Sequence, residues 1–299
     1  MSELISVCIA TCNRPFLLSK TLESLKNQKT NGLFTYEIIV VDNGTIYSDE
    51  IVDIFRQSND ISIKYYRQSI KNISLTRNEC IEHSSGDYIA FIDDDEIANK
   101  SWLIELYATL KLKKCSAVIG PVFPIFPMAK KLPFWYRHLY RYEKQFENLS
   151  IIKEGKTGNA LIDKRYLNDI RFDSNLGLTG GEDTDLFNKI QNIGGLLYYT
   201  TEAIVFETVE EKRLTFKWVF FRNVRCTQGY SINKMKNKNF FIKLFYYSFR
   251  LMALMCFCII LIPSFIFGIS FGLRMLKSIF CQIGHVSSIL PKLRYKEYK

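Results

Sequence analysis

Short apolar runs alternate with segments of helical period through the first 120 residues of the chain. Residues 4–11 predict a strand, and 15–28 a helix with Leu18, Leu22 and Leu25 on one face and Pro15 in its first turn. The same reading gives strands at 37–42, 62–66 and 87–93 and helices at 48–57, 72–83 and 100–113. Strands and helices in strict alternation require right-handed crossovers, so the pattern predicts an α/β fold whose mainly parallel sheet is flanked by helices. Ligands of such sheets gather beyond the carboxyl ends of the strands.

The pattern changes at 121–150, where Pro121, Pro124, Pro127 and Pro133 lie among aromatic side chains including Phe134, Trp135 and Tyr136, which predicts a structured loop region. A strand at 158–162 follows, then a Gly-rich turn into a helix at 179–193, and apolar stretches at 196–199 and 203–206. Residues 251–273 carry no charge, a length that suits a hydrocarbon core. Pro263 divides this run into arms of 12 and 10 residues, each too short to span alone. Basic residues lie on both sides: Lys243 and Arg250 before it, and Arg274, Lys277, Lys292, Arg294, Lys296 and Lys299 after it. A single span would export that basic tail, so the expectation is a helix-turn-helix dipping into one leaflet, with both flanks on the cytoplasmic side. The alternative is a buried hairpin. Residues 1–230 would then form the catalytic domain and 231–299 a basic, membrane-associating region.

Composition sharpens this picture. At 47% hydrophobic and 14% aromatic residues in 299, the chain has a core and is not disordered. The net charge of +10 is concentrated: residues 1–208 balance 24 Lys and Arg against 27 Asp and Glu, whereas 209–299 carry 16 against 3. Basic charge surrounding an apolar segment points to lipid and away from nucleic acid. Cysteines at 8, 12, 80, 115, 226, 256, 258 and 281 show neither metal-ligand nor disulfide-framework spacing, which predicts a reducing compartment. Met1-Ser2-Glu3-Leu4 runs directly into a strand-like stretch, so no signal peptide is expected. The scattered His83, His138 and His285 receive no role.

Candidate chemistry lies where the strands end. Ala90-Phe91-Ile92 delivers Asp93-Asp94-Asp95-Glu96 to the sheet edge, and adjacent carboxylates there call for a cation. Magnesium or manganese held by one or two carboxylates usually completes its shell with substrate phosphates, which points to a nucleoside diphosphate; a solvated acidic turn is the bland alternative. Asp42 follows a second strand, and Thr11, Asn13 and Arg14 leave the first, so all could line one pocket. Thr179-Gly180-Gly181-Glu182-Asp183-Thr184-Asp185 sets carboxylates at a helix start, either as a cap or as a general base.

Val7 to Arg14, Val40-Val41-Asp42-Asn43, Leu75-Thr76-Arg77-Asn78, Phe91-Ile92-Asp93-Asp94-Asp95 and Gly181 to Leu186, in this order, resemble the family 2 glycosyltransferases over roughly residues 4–230. The resemblance implies the GT-A fold, a Rossmann-like α/β domain, and an inverting, metal-dependent transfer from a nucleotide sugar, with UDP favoured. Thr11, Arg14, Asp42 and Arg77 would hold the base, Asp95 with Asp93 the Mn2+ or Mg2+, and Asp93 or Asp94 the ribose. Asp183 would be the catalytic base, Glu182 would position acceptor or base, and Gly158-Asn159 resembles the stretch beside the donor sugar. Glu207 stands where many relatives have a His, and the Gln-x-x-Arg-Trp motif of processive synthases is missing. Arg222 and Arg225 either pair with the diphosphate or form a basic surface.

The acceptor implied is lipid-linked or part of a surface glycan, with polyprenyl phosphate itself as a variant. The loop bearing Lys130, Lys131, Phe134, Trp135, Tyr136 and Arg137 would engage it or pack on the C-terminal hairpin. A nucleotidyltransferase lacks support, because no Gly-rich phosphate cradle follows the first strand. A non-catalytic nucleotide-sugar or cation binder is the remaining rival.

Overall fold

Period-2 alternation decides how the central strands are buried. In Glu3–Thr11 (β1), Ile5, Val7 and Ile9 enter one apolar cluster while Cys8 enters another; in Phe34–Asp42 (β2), Ile38 and Val40 face the first and Ile39 and Val41 the second. Both faces of the sheet are therefore covered, as parallel sheets require. The computed structural model describes residues 2–57, 61–127, 131–140 and 144–290.

The remaining strands are Ile63–Arg67 (β3), Tyr88–Ile92 (β4), Glu96–Ala98 (β5), Ala117–Ile119 (β6), Val122–Ile125 (β7), Ile151–Ile152 (β8), Asn159–Asp163 (β9), Leu197–Tyr199 (β10) and Val205–Thr208 (β11). They build a mixed sheet of order β3-β2-β1-β4-β9-β6-β10-β8 and a small sheet β5-β11-β7. Pairing is parallel from β3 to β4 and between β6 and β10, and antiparallel where β9 joins β4 to β6.

Helices Pro15–Leu25 (α1), Asp49–Gln57 (α2), Ile73–His83 (α3) and Trp102–Lys113 (α4) match the expected alternation. Leu18, Leu22 and Leu25 of α1 and Trp102, Leu103 and Leu106 of α4 cover one face of the sheet. Cys80 and Ile81 of α3, with Leu186, Phe187 and Ile190 of Glu182–Asn192 (here α6), cover the other. The short helix Tyr136–Leu139 (α5) lies in the proline-rich region, and α6 starts three residues later than expected because Gly180 and Gly181 take positive φ of 86° and 97°.

The chain divides into two compact units. The first comprises Met1–Ile125, Glu143–Gly177 and Glu182–Thr208, and holds both sheets. The second comprises Phe126–Tyr142, Leu178–Gly181 and Val209–Lys299, with helices Phe216–Met235 (α7), Phe240–Ser264 (α8) and Ile269–Ser287 (α9). Helix α7 runs unbroken through residue 230, and the division falls at 208/209.

The arm lengths expected around Pro263 are corrected. The first arm is a helix of 25 residues beginning at Phe240, where the Asn239 side chain accepts from the Ile242 N–H and caps it. Lys243 and Arg250 do not stop this helix, since both are good helix formers. Pro263 sits one residue before its end, and Gly268 at φ 113° turns the chain back into α9. Tyr136, Leu139 and Tyr140 pack with Val219, Leu273 and Phe280, so this part of the loop does seat on the C-terminal helices. Lys130 and the tail residues Lys292, Arg294, Lys296 and Lys299 lie outside the described residues.

Candidate active site

Connections from β1 leave toward β2 on one side while β4 lies on the other, so the sheet order reverses between β1 and β4. The carboxyl ends of these two strands form the switch point where α/β sheets bind ligands. Thr11, the last residue of β1, donates from Oγ1 to Asp94 Oδ2 at 2.8 Å. Arg14 donates from one amino group to Asp94 Oδ1 at 3.0 Å and Asp95 Oδ2 at 3.1 Å. Thr11 and Arg14, expected beside the base, are thus bonded to the triple aspartate.

A second guanidinium ties that motif to the other acidic one. Arg77, on α3 and 6% exposed, donates to Asp93 Oδ1 at 3.0 Å, Glu182 Oε1 at 2.9 Å and Asp183 Oδ1 at 2.8 Å. It is therefore the hinge of the carboxylate cluster, whatever it offers a base. Asp183 Oδ1 also accepts from the Thr157 hydroxyl at 2.8 Å, while among the described residues its Oδ2 meets only the Thr157 N–H at a long 3.4 Å. One oxygen is pinned and the other retains capacity to accept a proton.

Asp42 and Asn13 build the adjoining turn. Asp42, 1% exposed at the end of β2, accepts from the Gly44 N–H at 2.8 Å, the Ser48 N–H at 3.0 Å and the Tyr65 hydroxyl at 3.0 Å. Burial pushes the Tyr65 phenol up to about 12. Asn13, at φ 57°, accepts through Oδ1 from the Thr45 and Ile46 N–H groups at 2.7 and 2.8 Å. Arg222 belongs to the second unit, where its guanidinium stands 4.8 Å from the Tyr140 ring and 5.2 Å from the Trp218 ring.

Sequence reasoning gave no role to Glu96 or Thr157. Glu96 follows the three aspartates directly, and its buried carboxylate accepts from the Asp93 N–H at 2.8 Å. In the β5–β11 pair it stands opposite Glu207. Gly158 is required beside it: a Cβ there would lie 2.6 Å from Glu96 Oε1. The Asn159 side chain donates to the Pro121 and Ala203 carbonyls at 2.9 and 2.6 Å and accepts from the Trp102 indole N–H at 2.8 Å.

Burial of the carboxylates dominates the electrostatics. Burial lifts Asp94 to about 6, against the opposing pull of Arg14 and with the push of Asp95. Burial and the neighbouring Asp183 lift Glu182 to about 7 despite Arg77, and its buried Oε2 has no hydrogen-bond partner among the described residues. Glu96 is raised well above the ordinary range by burial and by Asp93. Arg14 and Arg77 do not neutralise this cluster, and its all-oxygen donors suit a hard divalent cation. Among the described residues no three ligating side chains close on a single metal point.

Residues 6–171 match the description Glycosyl transferase family 2, which covers more than half of the chain. The chain belongs to glycosyl transferase family 2. A succinoglycan biosynthesis protein, ExoM of Rhizobium meliloti, is 33% identical over 238 residues, 75% of this chain and 73% of that protein. The hyaluronan synthase of Pasteurella multocida is 34% identical over 120 residues, 39% of this chain and 12% of the synthase. Among solved structures, a mannosyltransferase from Pyrobaculum calidifontis, in complex with GDP-Man and Mn2+, aligns with a TM-score of 0.59 and 14% identity over 80% of this chain and 66% of that one. S. aureus TarS 1–349, in complex with UDP-GlcNAc, gives 0.56 and 18% over 75% and 66%. These two structures share the mixed α/β fold, and the GT-A fold expected for this family 2 chain is the one observed.

Proposed function

We propose that this family 2 enzyme is an inverting, metal-dependent glycosyltransferase that moves a sugar from a nucleotide sugar, UDP-linked by preference, to a lipid-linked or surface-glycan acceptor. The observation that carries the reading is the Arg77 fork, which holds the base candidate Asp183 and the metal candidate Asp93 on one guanidinium at 2.8 and 3.0 Å. ExoM, by its name a protein of polysaccharide synthesis, supports the acceptor class. Complexes of the structural neighbours with UDP-GlcNAc and with GDP-Man and Mn2+ support a nucleotide-sugar donor and a divalent metal.

Asp183 Oδ2 takes the proton from an acceptor hydroxyl, and that oxygen attacks the anomeric carbon. The bond from that carbon to the diphosphate oxygen breaks on the opposite side, its electron pair leaves with the nucleoside diphosphate, and the sugar inverts. Asp95 and Asp93 would hold the metal, which supplies charge neutralisation to the leaving diphosphate. Thr157 and Arg77 orient Asp183, and Glu182, with its raised pKa, carries a proton beside it near neutrality without adding a second full charge. Asp42 and Asn13 shape the turn that receives the base. The C-terminal hairpin would hold the enzyme at the cytoplasmic face of a membrane, where such acceptors and the donor meet.

A calorimetric panel of UDP, GDP, CMP and their sugar conjugates, with and without manganese, on detergent-solubilised protein tests the donor. Metal-dependent binding of one nucleotide, lost in Asp95→Ala, is the expected result. Binding by none of them would overturn the reading. Anomeric configuration of the product, read by NMR, tests inversion.

A further inference from the structure

The second unit leaves an apolar surface uncovered that its own packing cannot hide. One stripe of α8, through Tyr246, Tyr247 and Leu261, turns toward α9, and Ser264 is buried at its end. The opposite side presents Phe241, Phe245, Met252 and Ile259, and the turn beyond presents Ile266 and Phe267 at 85% and 79% exposure. A continuous face of this size far exceeds what a soluble surface tolerates.

We propose that α8 and α9 form a re-entrant hairpin that inserts into a single leaflet of an anionic bilayer, tip first at 263–268, with both basic flanks on the same side. It deepens the membrane element of the proposed function, and donor binding by the first unit is measured separately, so either reading can fail alone.

Length alone would let α8 cross: 25 residues rise about 37 Å, against a hydrocarbon core of about 30 Å. Its partner helix prevents that. Helix α9 folds back on α8, with the Tyr246 hydroxyl 3.2 Å from His285 Nδ1 and the Ser288 hydroxyl 3.3 Å from that of Tyr247. If α8 spanned, α9 would be drawn into the hydrocarbon with Arg274, Lys277 and Gln282. A charged side chain at the centre of a bilayer is among the costliest placements known.

Helix α9 is also fixed to α7, which bears Lys217, Arg222, Arg225 and Lys234. Gly284 has no room for a side chain against Thr227, Gln228 donates to the Ser287 hydroxyl at 2.8 Å, and Ser231 lies 2.6 Å from His285 Nδ1. The far half of α9 therefore stays with a basic helix at the interface. Arg274 lies only about 8 Å along α9 from its start, whereas Arg250 lies about 21 Å from the end of α8. With Arg274 and Lys277 snorkelling to the headgroups, the tip reaches about mid-bilayer and no further.

The lipid charge follows from the sequence. Residues 212–296 contain 15 Lys and Arg and no Asp or Glu. Such a stretch complements anionic headgroups, at about a fivefold gain in partition per cation near the surface. A second copy covering the apolar face would instead bring two acid-free basic collars into one assembly with no carboxylate to offset them.

Native Cys256 and Cys258, both exposed on α8, serve as depth reporters. The full chain carrying Lys238→Cys and Leu290→Cys is added to sealed vesicles of phosphatidylcholine with phosphatidylglycerol and treated with a membrane-impermeant maleimide. Labelled peptides are then identified by mass spectrometry. Positions 238 and 290 are expected to label equally before and after detergent, and 256 and 258 only after it. Labelling of only one flank before detergent means a span and overturns the proposal. Lipid-independent protection of Cys256 and Cys258 that grows with protein concentration means a second copy and overturns it too. Unchanged reactivity of both cysteines in vesicles means no insertion. In the otherwise unaltered chain, Lys236→Gln and Lys238→Gln should each lower partition onto the anionic vesicles about fivefold and leave that onto phosphatidylcholine alone unchanged; equal loss on both overturns the anionic preference.

Discussion

Replacing Arg77 with Met removes the one cation that, among the described residues, touches Asp93, Glu182 and Asp183 together, while keeping an apolar stem of similar length. The Arg77 side chain is 8% exposed, so the loss of its charge is little screened by water. Removing one partner of a buried ion pair costs about 3–5 kcal/mol. The lower end applies, because Glu182, already raised to about 7, can take a proton instead of remaining a bare buried charge. That escape creates a pH signature. Glu182 binds its proton more tightly folded than unfolded, so its contribution to stability is complete below about 4.5 and declines as pH rises to the folded value. In the native chain the decline ends near 7; in Arg77→Met the folded value moves higher, and the decline continues at about 1.4 kcal/mol per pH unit. Urea unfolding in detergent at about pH 6 and about pH 8 therefore gives the variant an extra loss of roughly 1.4 kcal/mol across the interval. Trp102, fully buried in the first unit, reports that unit alone once Trp135 and Trp218 are changed to Phe. Arg77→Lys keeps the charge but loses the fork, and should fall between the two. A variant within about 1 kcal/mol of native at the higher pH, with an unchanged pH slope, would refute the argument that Arg77 holds the cluster together.

Asp183→Asn should lower turnover by about 100-fold to 10,000-fold while nucleotide affinity, measured by calorimetry, changes little; equal loss of both would place Asp183 in binding and not in proton transfer. The pH–rate profile should show a limb near pH 7 from Glu182, and Glu182→Gln should remove that limb; its persistence would assign it elsewhere. Gly158→Ala should weaken manganese-dependent nucleotide binding, since its methyl would lie 2.6 Å from Glu96 Oε1 and displace the carboxylate that holds the Asp93 N–H. Acid should loosen the second unit, because burial lowers His285 to about 4, and beneath about 6.5 the unfolded chain takes up a proton that the folded one does not; Trp135 and Trp218 fluorescence in a Trp102→Phe background reads this out.

The chain pattern was legible wherever a local rule acts. Alternation in β1 and β2 assigned each apolar side chain to a face, helical spacing put Leu18, Leu22 and Leu25 inward, and polar residues closing successive strands marked the edge where the carboxylate cluster lies. The ordered blocks were enough for the family, because each is a short continuous stretch that can be read without any tertiary contact. Strands of three or four residues such as β5, β6 and β7 escaped notice, since so few positions show no period and their pairing comes from distant partners. The full reach of α8 was hidden because charges mark surface and not helix ends, and its true start is a cap at Asn239. Which arginine meets which carboxylate was beyond any local rule: Arg77 and Asp183 are 106 positions apart, and only the closing of α3 and α6 over one face of the sheet brings them within 2.8 Å. The sequence by itself thus determined the longer strands and helices of the first half, the family and a set of candidate residues. The tertiary structure alone decided their partners and protonation, because burial and the distance between charges exist only once the chain has folded.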